Sequence, residues 1–267
     1  VRNFYPELPR YRHFNYRMKI GLMQDLLQKQ QMGQLNQVQS LWFQETKPAE
    51  EFYDVQADPH EITNLIADPQ FAEEIDRLRK EQERHMIEIK DVGLIPEPMI
   101  FKLQDSVQMP IYSVVRKHRF PMEKIYHVAT MSIKTPGELS TLANYLNDTL
   151  PVIRYWAATN LGNLGEKAKE YRGQLINSLQ DKFPSVRIAA AYALHQQGQT
   201  DLAVQALIAE LETDEMTATM LAAFQLSRIG SPAREAVPAL QELIKGHSYQ
   251  QQAAENAINA IQTGTYY

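Results

Sequence analysis

The second half of the chain is patterned as helices whose apolar positions recur about every 33 residues. Glycine closes each of four similar segments, and successive glycines are 33, 32 and 34 residues apart. Because one helix pair with its turns occupies a stretch of this length, the period predicts stacked helix pairs. The segments are PVIRYWAATNLGNLG (151–165), PSVRIAAAYALHQQG (184–198), EMTATMLAAFQLSRIG (215–230) and QQQAAENAINAIQTG (250–264).

Small and bulky apolar residues keep fixed places within these segments. An alanine stands seven residues before each glycine, and a leucine or alanine stands four residues before it. Alanine lets neighbouring helices approach closely, leucine fills the space between layers, and glycine ends the helix. The alanines are Ala158, Ala191, Ala223 and Ala257, and the second set is Leu161, Leu194, Leu226 and Ala260.

The stretches between the repeated segments are predicted to supply the first helix of each pair. Pro151, Pro184 and Pro232 mark the joints, since proline cannot continue a helix that precedes it. An ordinary helical bundle with chance alanine–leucine patterns is the alternative. The repeats resemble the HEAT-like family, and the resemblance implies a curved, non-catalytic α-solenoid. The intervening first helices are expected near 137–147, 167–180, 201–211 and 234–245.

The first third of the chain alternates over short stretches that proline interrupts. Residues 1–5 and 51–55 are predicted to be strands, because their side chains alternate between two faces. Asp58 and Pro59 predict a type I turn after the second strand. The chain opens within the first predicted strand, without an initiator methionine or a signal-peptide pattern. It is therefore expected to be part of a longer protein.

Two helices are predicted beside these strands. Residues 17–33 carry an apolar stripe at helical spacing and end at Gly33. Residues 70–89 follow Asp68 at the N-cap and Pro69 in the first turn. The predicted fold is therefore α+β: a small antiparallel sheet with helices over 1–97, a linker over 98–120 and an all-α HEAT-like solenoid over 121–267.

Composition narrows the classes of function. The 267 residues are 44% hydrophobic and 22% charged, with a formal net charge of -5, so general affinity for nucleic acid is not expected. There is no cysteine, which excludes disulfides and thiolate metal sites. No apolar run approaches the roughly 20 residues that span a bilayer, so no membrane span is predicted.

Residues 50–86, EEFYDVQADPHEITNLIADPQFAEEIDRLRKEQERHM, resemble the C-terminal segment of sulfatases of the alkaline-phosphatase-like superfamily. The flanking sequence extends the resemblance over about residues 1–97, towards the sulfamidase and related bacterial branch. Phe52 stands where the family usually has leucine. The resemblance implies a small antiparallel sheet and one helix that pack against a separate catalytic domain. The matching residues are Glu51, Tyr53, Asp54, Asp58, Pro59, Glu61, Asn64 and Leu65.

The resemblance also implies chemistry that this chain does not carry. A sulfatase uses a formylglycine made from Cys or Ser in a Cys/Ser-x-Pro/Ala-x-Arg motif, beside a calcium ion. The chain has no Cys, Ser185 lacks the required spacing, and Ser231 is followed by proline one place too early. No cofactor is expected in this chain. Calcium and formylglycine are expected in the missing catalytic domain, so the chain alone is predicted to be inactive.

Three basic residues are the candidate substrate contacts. Arg10, Arg12 and His13 form a cluster around Tyr11, and in an intact sulfatase they are expected to border a cleft that receives a sulfated sugar. A solvated or domain-facing loop is the alternative for this cluster. No metal site is predicted. His195 occupies a position that varies among the repeats and is predicted to lie on the surface.

Two hypotheses for the function follow. The first is the C-terminal part of a periplasmic or secreted sulfatase. Its partners would be the missing catalytic domain, a protein on the solenoid and, for the intact enzyme, a sulfated carbohydrate. The second is a stand-alone HEAT-repeat interaction scaffold with a sulfatase-like N-terminal cap. Exposed apolar surface on residues 1–55 discriminates between them, because a free-standing cap would cover its own aromatic rings.

Overall fold

A computed structural model describes residues 1–11, 16–117, 120–134 and 138–264. The side chains of residues 132–134 are not part of this description. The chain divides into two compact units, Val1–His85 and Met86–Tyr266. No helix in the described part of the chain is long and apolar enough to cross a membrane.

The first unit is built from loops and helices. Its helices are α1 (Gly21–Gln31), α2 (Gln37–Ser40) and the greater part of α3 (Ala72–Ile89). The Asp68 side chain accepts a hydrogen bond from the Gln70 N–H and a 3-10 turn leads into α3, which confirms the predicted cap. Gly33 has a φ of 66° after α1, as the glycine stop requires.

The antiparallel sheet predicted for this unit is wrong. Among the described residues, Val1–Tyr5 and Glu51–Val55 form no strand, and one isolated antiparallel bridge joins Arg2 to Glu50. Beyond the bridge, the backbone N–H of Phe52 donates to a side chain and not to a neighbouring strand. The Asn64 Oδ1 accepts from the Phe52 N–H at 3.0 Å. The alternation of side chains predicted strands here, but nearby proline and local side-chain acceptors limit the backbone pairing.

The second unit consists of packed helices. Two of these helices lie in the stretch predicted to be a linker. Glu97 and Pro98 occupy the first turn of the first one, where proline is tolerated. The helices are α4 (Glu97–Val107), α5 (Ile111–Lys117), α6 (Met122–Lys134), α7 (Leu139–Asn144), α8 (Pro151–Asn163), α9 (Arg172–Ser178), α10 (Pro184–Gln196), α11 (Thr200–Leu211), α12 (Met216–Ile229), α13 (Val237–Leu243) and α14 (Ser248–Thr263).

From α7 onward these helices form the predicted helical repeat. Helix α8 packs on α10, and α12 packs on α14, while α11 lies against both α10 and α12. The repeated alanine and leucine positions are all buried, with exposures of 2% or less. The four repeat glycines all have positive φ, between 52° and 79°, which confirms their role as helix stops.

Candidate functional site

Two adjacent carboxylates lie at the centre of the first unit. Glu50 Oε1 accepts from the Arg2 guanidinium at 2.5 Å, and Glu50 Oε2 accepts from Arg79 on α3 at 2.6 Å. Burial alone would raise the pKa of Glu50, but the hydrogen bonds from Arg79 and Arg2 outweigh it and hold the pKa below its ordinary value. Glu50 therefore stays charged and clamps the start of the chain to α3.

Glu51 is more deeply buried, with 2% of its side chain exposed. It accepts from Arg10 at 2.5 Å, from the Asn3 amide at 2.7 Å and from the Tyr53 hydroxyl. The hydrogen bonds outweigh burial and lower the pKa of Glu51, while burial and Glu51 together raise the pKa of Tyr53 to about 12. Each group is thereby held in its ordinary protonation state, which suits an ion-pair network and not proton transfer.

The structure places one of the three basic candidates. Arg10 is 29% exposed and donates to Glu51, so its charge is compensated within the unit. Arg12 and His13 lie outside the described residues, and their role as substrate contacts stays a prediction. In the residues that the structure describes, no group of three or more His, Asp or Glu side chains could hold a metal ion. Asp58 accepts from the backbone N–H groups of Ile62 and Thr63, as a turn residue does.

The first unit has a thin apolar core and many exposed apolar side chains. Its buried cluster consists of Tyr11, Met23 and Phe43, with the Tyr11 and Phe43 rings 5.3 Å apart. Contiguous exposed apolar patches mark interaction sites, whereas single exposed apolar side chains are common. The exposed set is Val1, Tyr16, Ile20, Leu22, Met32, Val38, Trp42, Val55, Ile62 and Leu78.

Arginine–carboxylate pairs join successive repeats of the second unit. Arg154 on α8 donates to both oxygens of Asp181, at 2.6 and 2.9 Å, and to the Asp148 carbonyl at 2.8 Å. Arg187 on α10 repeats the arrangement with Glu210 and the Asp181 carbonyl. The signal for these pairs was present in the sequence, because Asp148 and Asp181, like Arg154 and Arg187, are 33 residues apart.

An aromatic and basic group lies where α10 and α12 adjoin. The guanidinium carbon of Arg228 lies 3.8 Å from the centre of the Tyr192 ring and 6.0 Å from that of Phe224. The His195 ring is 5.6 Å from that of Tyr192. We call Tyr192, His195, Phe224 and Arg228 the α10–α12 patch; all four residues are half-buried.

His195 was predicted to lie on the surface, and it is only partly exposed. Burial and the charge of Arg228 lower its pKa, so the imidazole is neutral at pH 7. Its Nδ1 lies 3.0 Å from the Thr200 hydroxyl. The patch was not found from the sequence, because its members are 29 to 36 positions apart between the two helices and only the repeat register brings them together.

Two comparisons with known proteins bear on these features. Residues 139–225 match the family model described as HEAT repeats. A segment of 97 residues is 39% identical to the ulvan-active sulfatase of Formosa agariphila, and it covers 36% of this chain. The matched segment spans only 16% of the length of that sulfatase.

Proposed function

We propose that the chain is the non-catalytic C-terminal part of a sulfatase that acts on a sulfated polysaccharide of the ulvan kind. In this proposal residues 1–85 pack against the catalytic body, and the helical repeats bind a partner. Calcium and formylglycine belong to that body, and a periplasmic or secreted location follows from the same resemblance. The 39% identity to an ulvan-active sulfatase supports the sulfatase assignment.

The exposed apolar surface of the first unit is the observation that carries the proposal. Among the described residues of this unit, five large apolar side chains are buried, whereas ten are exposed; the buried ones are Leu8, Tyr11, Met23, Phe43 and Ile75. Burying one such side chain stabilises a protein by about 1.5–3 kcal/mol, so a surface of this kind favours association with a further domain. Leu22, on α1, is 68% exposed, more than any other residue of this set except Val1.

A stand-alone scaffold is the second candidate. The match of residues 139–225 to HEAT repeats supports it, since such repeats commonly serve protein interaction. The closed ion-pair network around Glu50 and Glu51 also supports it, because a cap must hold itself together without a neighbouring domain. The two candidates differ in what covers the exposed side chains of α1.

The test compares Leu22→Ser in this chain and in a longer sulfatase that contains it. Because Leu22 is exposed here, we expect the melting temperature of the chain to stay within a degree or two. In the longer protein, where the residue would be buried, we expect a loss of about 1.5–3 kcal/mol in the free energy of unfolding. Gln28→Ser on the same helix is the matched control, since Gln28 is an exposed polar residue.

Two results would overturn the proposal. One is hydrolysis of sulfate esters by the purified chain alone in the presence of calcium. The other is a Leu22→Ser effect in the longer protein no larger than that of Gln28→Ser, which would leave α1 exposed there and favour the scaffold.

A further inference from the structure

A groove lies between α4 and the start of α12, within the second unit. Its walls include Phe101, Lys102 and Asp105 on α4, and Glu215 and Met216 at the start of α12; we call it the α4–α12 groove. Its volume is about 400 Å³, within the roughly 300–1,000 Å³ of pockets that hold ligands. Because α4 precedes the residues that match HEAT repeats, one wall of the groove lies outside the repeat pattern.

The groove combines apolar surface with carboxylates. Phe101 is 44% exposed and Met216 is 37% exposed, so much of the ring and of the thioether chain is accessible. Asp105 is exposed and stands four residues after Phe101, on the same face of α4. Among the described residues that line the groove, Asp105 and Glu215 are the two acids and Lys102 is the one base, which gives a net charge of -1.

The lysine in the groove is loosely held. Its Nζ lies 3.5 Å from the Glu215 Oε1, beyond the roughly 2.7–3.2 Å of a good N–H···O hydrogen bond. Both side chains are more than two-fifths exposed, and an exposed pair of this kind contributes little to stability. The same Nζ lies 5.2 Å from the centre of the Phe183 ring, which gives Lys102 a second interaction. Glu215 can therefore exchange Lys102 for a better donor.

The nearby Arg187 is paired with another carboxylate. Its pKa is raised chiefly by its hydrogen bond with Glu210, and the charge of Glu215 acts on it more weakly from a distance. The guanidinium donates to both oxygens of Glu210 and to the Asp181 carbonyl. Arg187 and Glu210 thus compensate each other, and the excess of negative charge in the groove remains.

We propose that the α4–α12 groove binds an arginine side chain of a protein partner. Its guanidinium would stack on the Phe101 ring and donate to Asp105 and Glu215, while its methylene stem packs on Met216. A planar guanidinium donates two parallel hydrogen bonds to one carboxylate, which an ammonium cannot do, so it displaces Lys102 from Glu215.

The occupant is a segment of protein chain because the groove is larger than one side chain. The residues next to the arginine fill the rest of its volume of about 400 Å³ and contact its apolar wall. The inference deepens the proposed function and rests on it in one respect, namely that the helical repeats bind a partner.

Peptide binding to the purified chain tests the proposal. Dodecapeptides are selected on this chain from a random phage-displayed library and counter-selected on the chain with Phe101→Ser and Met216→Ser. Both side chains are partly exposed, and circular dichroism confirms that the double variant folds. We expect the selected peptides to share an arginine.

The affinity of a selected peptide is then compared with those of two synthetic copies. Citrulline in place of the arginine keeps the shape and removes the charge, and should weaken binding by about tenfold. Lysine keeps the charge and loses the planar fork, and should weaken binding by a smaller factor. Fluorescence anisotropy of the labelled peptides measures all three affinities.

Substitutions in the groove have opposite expected signs. Glu215→Gln and Asp105→Asn should each weaken binding of the selected peptide by about tenfold. Lys102→Gln should strengthen it by up to about fivefold, because it removes the competing cation. Glu242→Gln is the matched control, since it removes the same charge from an exposed lysine pair on α13, and it should leave binding unchanged.

Four results would overturn the proposal. The first is a selection that yields no peptide dependent on the groove, or peptides without a shared arginine. The second is an equal loss in Glu242→Gln, which would reduce the effect to general attraction by an acidic protein. Weaker binding to Lys102→Gln would make the groove a site for an acidic group, and displacement of the peptide by an equal concentration of spermidine would make it a polyamine site.

Failure of this site is distinguishable from failure of the proposed function. The comparison of Leu22→Ser in the chain and in the longer sulfatase concerns the first unit and does not involve the groove. Peptide binding to the chain alone, in turn, does not depend on whether the longer protein hydrolyses sulfate esters.

Discussion

At the scale of single residues, His195 shows how burial and a neighbouring charge together determine the protonation state of an imidazole. Burial is the main cause of its lowered pKa, and the guanidinium of Arg228 is the second. A buried neutral imidazole stabilises the fold above the ordinary pKa of about 6.5, and the stabilisation is lost as the pH falls below that value.

Arg228→Gln should raise the pKa of His195, because it removes a positive charge that disfavours the imidazolium. The new pKa should stay below that of an exposed histidine, since the residue remains buried. Titration of the imidazole resonances by NMR measures both values. An unchanged pKa would mean that Arg228 does not act on His195 in solution.

Gly162 marks a close approach between two helices that the sequence pattern did not single out. A methyl group added to it would lie 2.9 Å from the Cα and the Cβ of Ala193 on α10, and closer still to the side-chain oxygen of Gln196. The repeat pattern singled out Ala191 on α10, whereas the alanine at this contact is Ala193. The pattern could not show that Ala193 approaches Gly162, because only the packed helices define that distance.

Gly162→Ala is therefore expected to lower the free energy of unfolding by about 1–3 kcal/mol, through overpacking of α8 against α10. Gly173→Ala on α9 is the matched control, because a methyl group there meets no atom within 4 Å. We expect the control to be neutral or stabilising by about 0.4–1 kcal/mol. Thermal unfolding followed by circular dichroism compares them, and a tolerated Gly162→Ala would contradict the packing described.

At the scale of elements, the paired helices were predictable and the sheet was not. Glycines at a fixed period, with alanine and leucine at fixed offsets, specify helix pairs through local packing. The stretches 1–5 and 51–55 show the alternation of strands, yet alternation does not say whether a partner is present. Backbone pairing depends on residues distant in sequence, and here the Asn64 side chain competes for it.

The inter-repeat pairs make a prediction at this scale. Arg154→Gln should lower the free energy of unfolding by about 3 kcal/mol, because it leaves the largely buried Asp181 without its bidentate partner. Lys245→Gln is the control, since its pair with Glu242 is exposed and is expected to contribute at most about 1 kcal/mol. Urea unfolding would measure both, and equal effects would show that the Arg154 pair adds little.

At the scale of the whole molecule, the first unit should lose stability in acid. The pKa values of Glu50 and Glu51 lie below the ordinary 4.5 in the folded first unit. Carboxylates of this kind stabilise the fold above pH 4.5, and that stability is lost as the pH falls through their lowered pKa values. The first unit is therefore expected to unfold on acidification below about pH 4.5.

Tryptophan fluorescence can follow this transition, because Trp42 lies in the first unit and Trp156 in the second. Trp156→Phe leaves Trp42 as the reporter, and its emission should change below pH 4.5 as the Glu50 and Glu51 network is protonated. Glu50→Gln should reduce the pH dependence of the transition. Emission that stays constant from pH 7 to about pH 3 would contradict this role for the network.

The inter-repeat pairs also determine how the repeats would behave under mechanical tension. Asp148, Asp181 and Asp214 recur at intervals of 33, but Met220 stands where Arg154 and Arg187 would place the next arginine. If the two ends of the array were pulled apart, the junction at α12 would not be held by the arginine–carboxylate pair that Arg154 and Arg187 form at the two preceding junctions. Extension would then begin near that junction, and the repeats linked by arginine would yield at higher force.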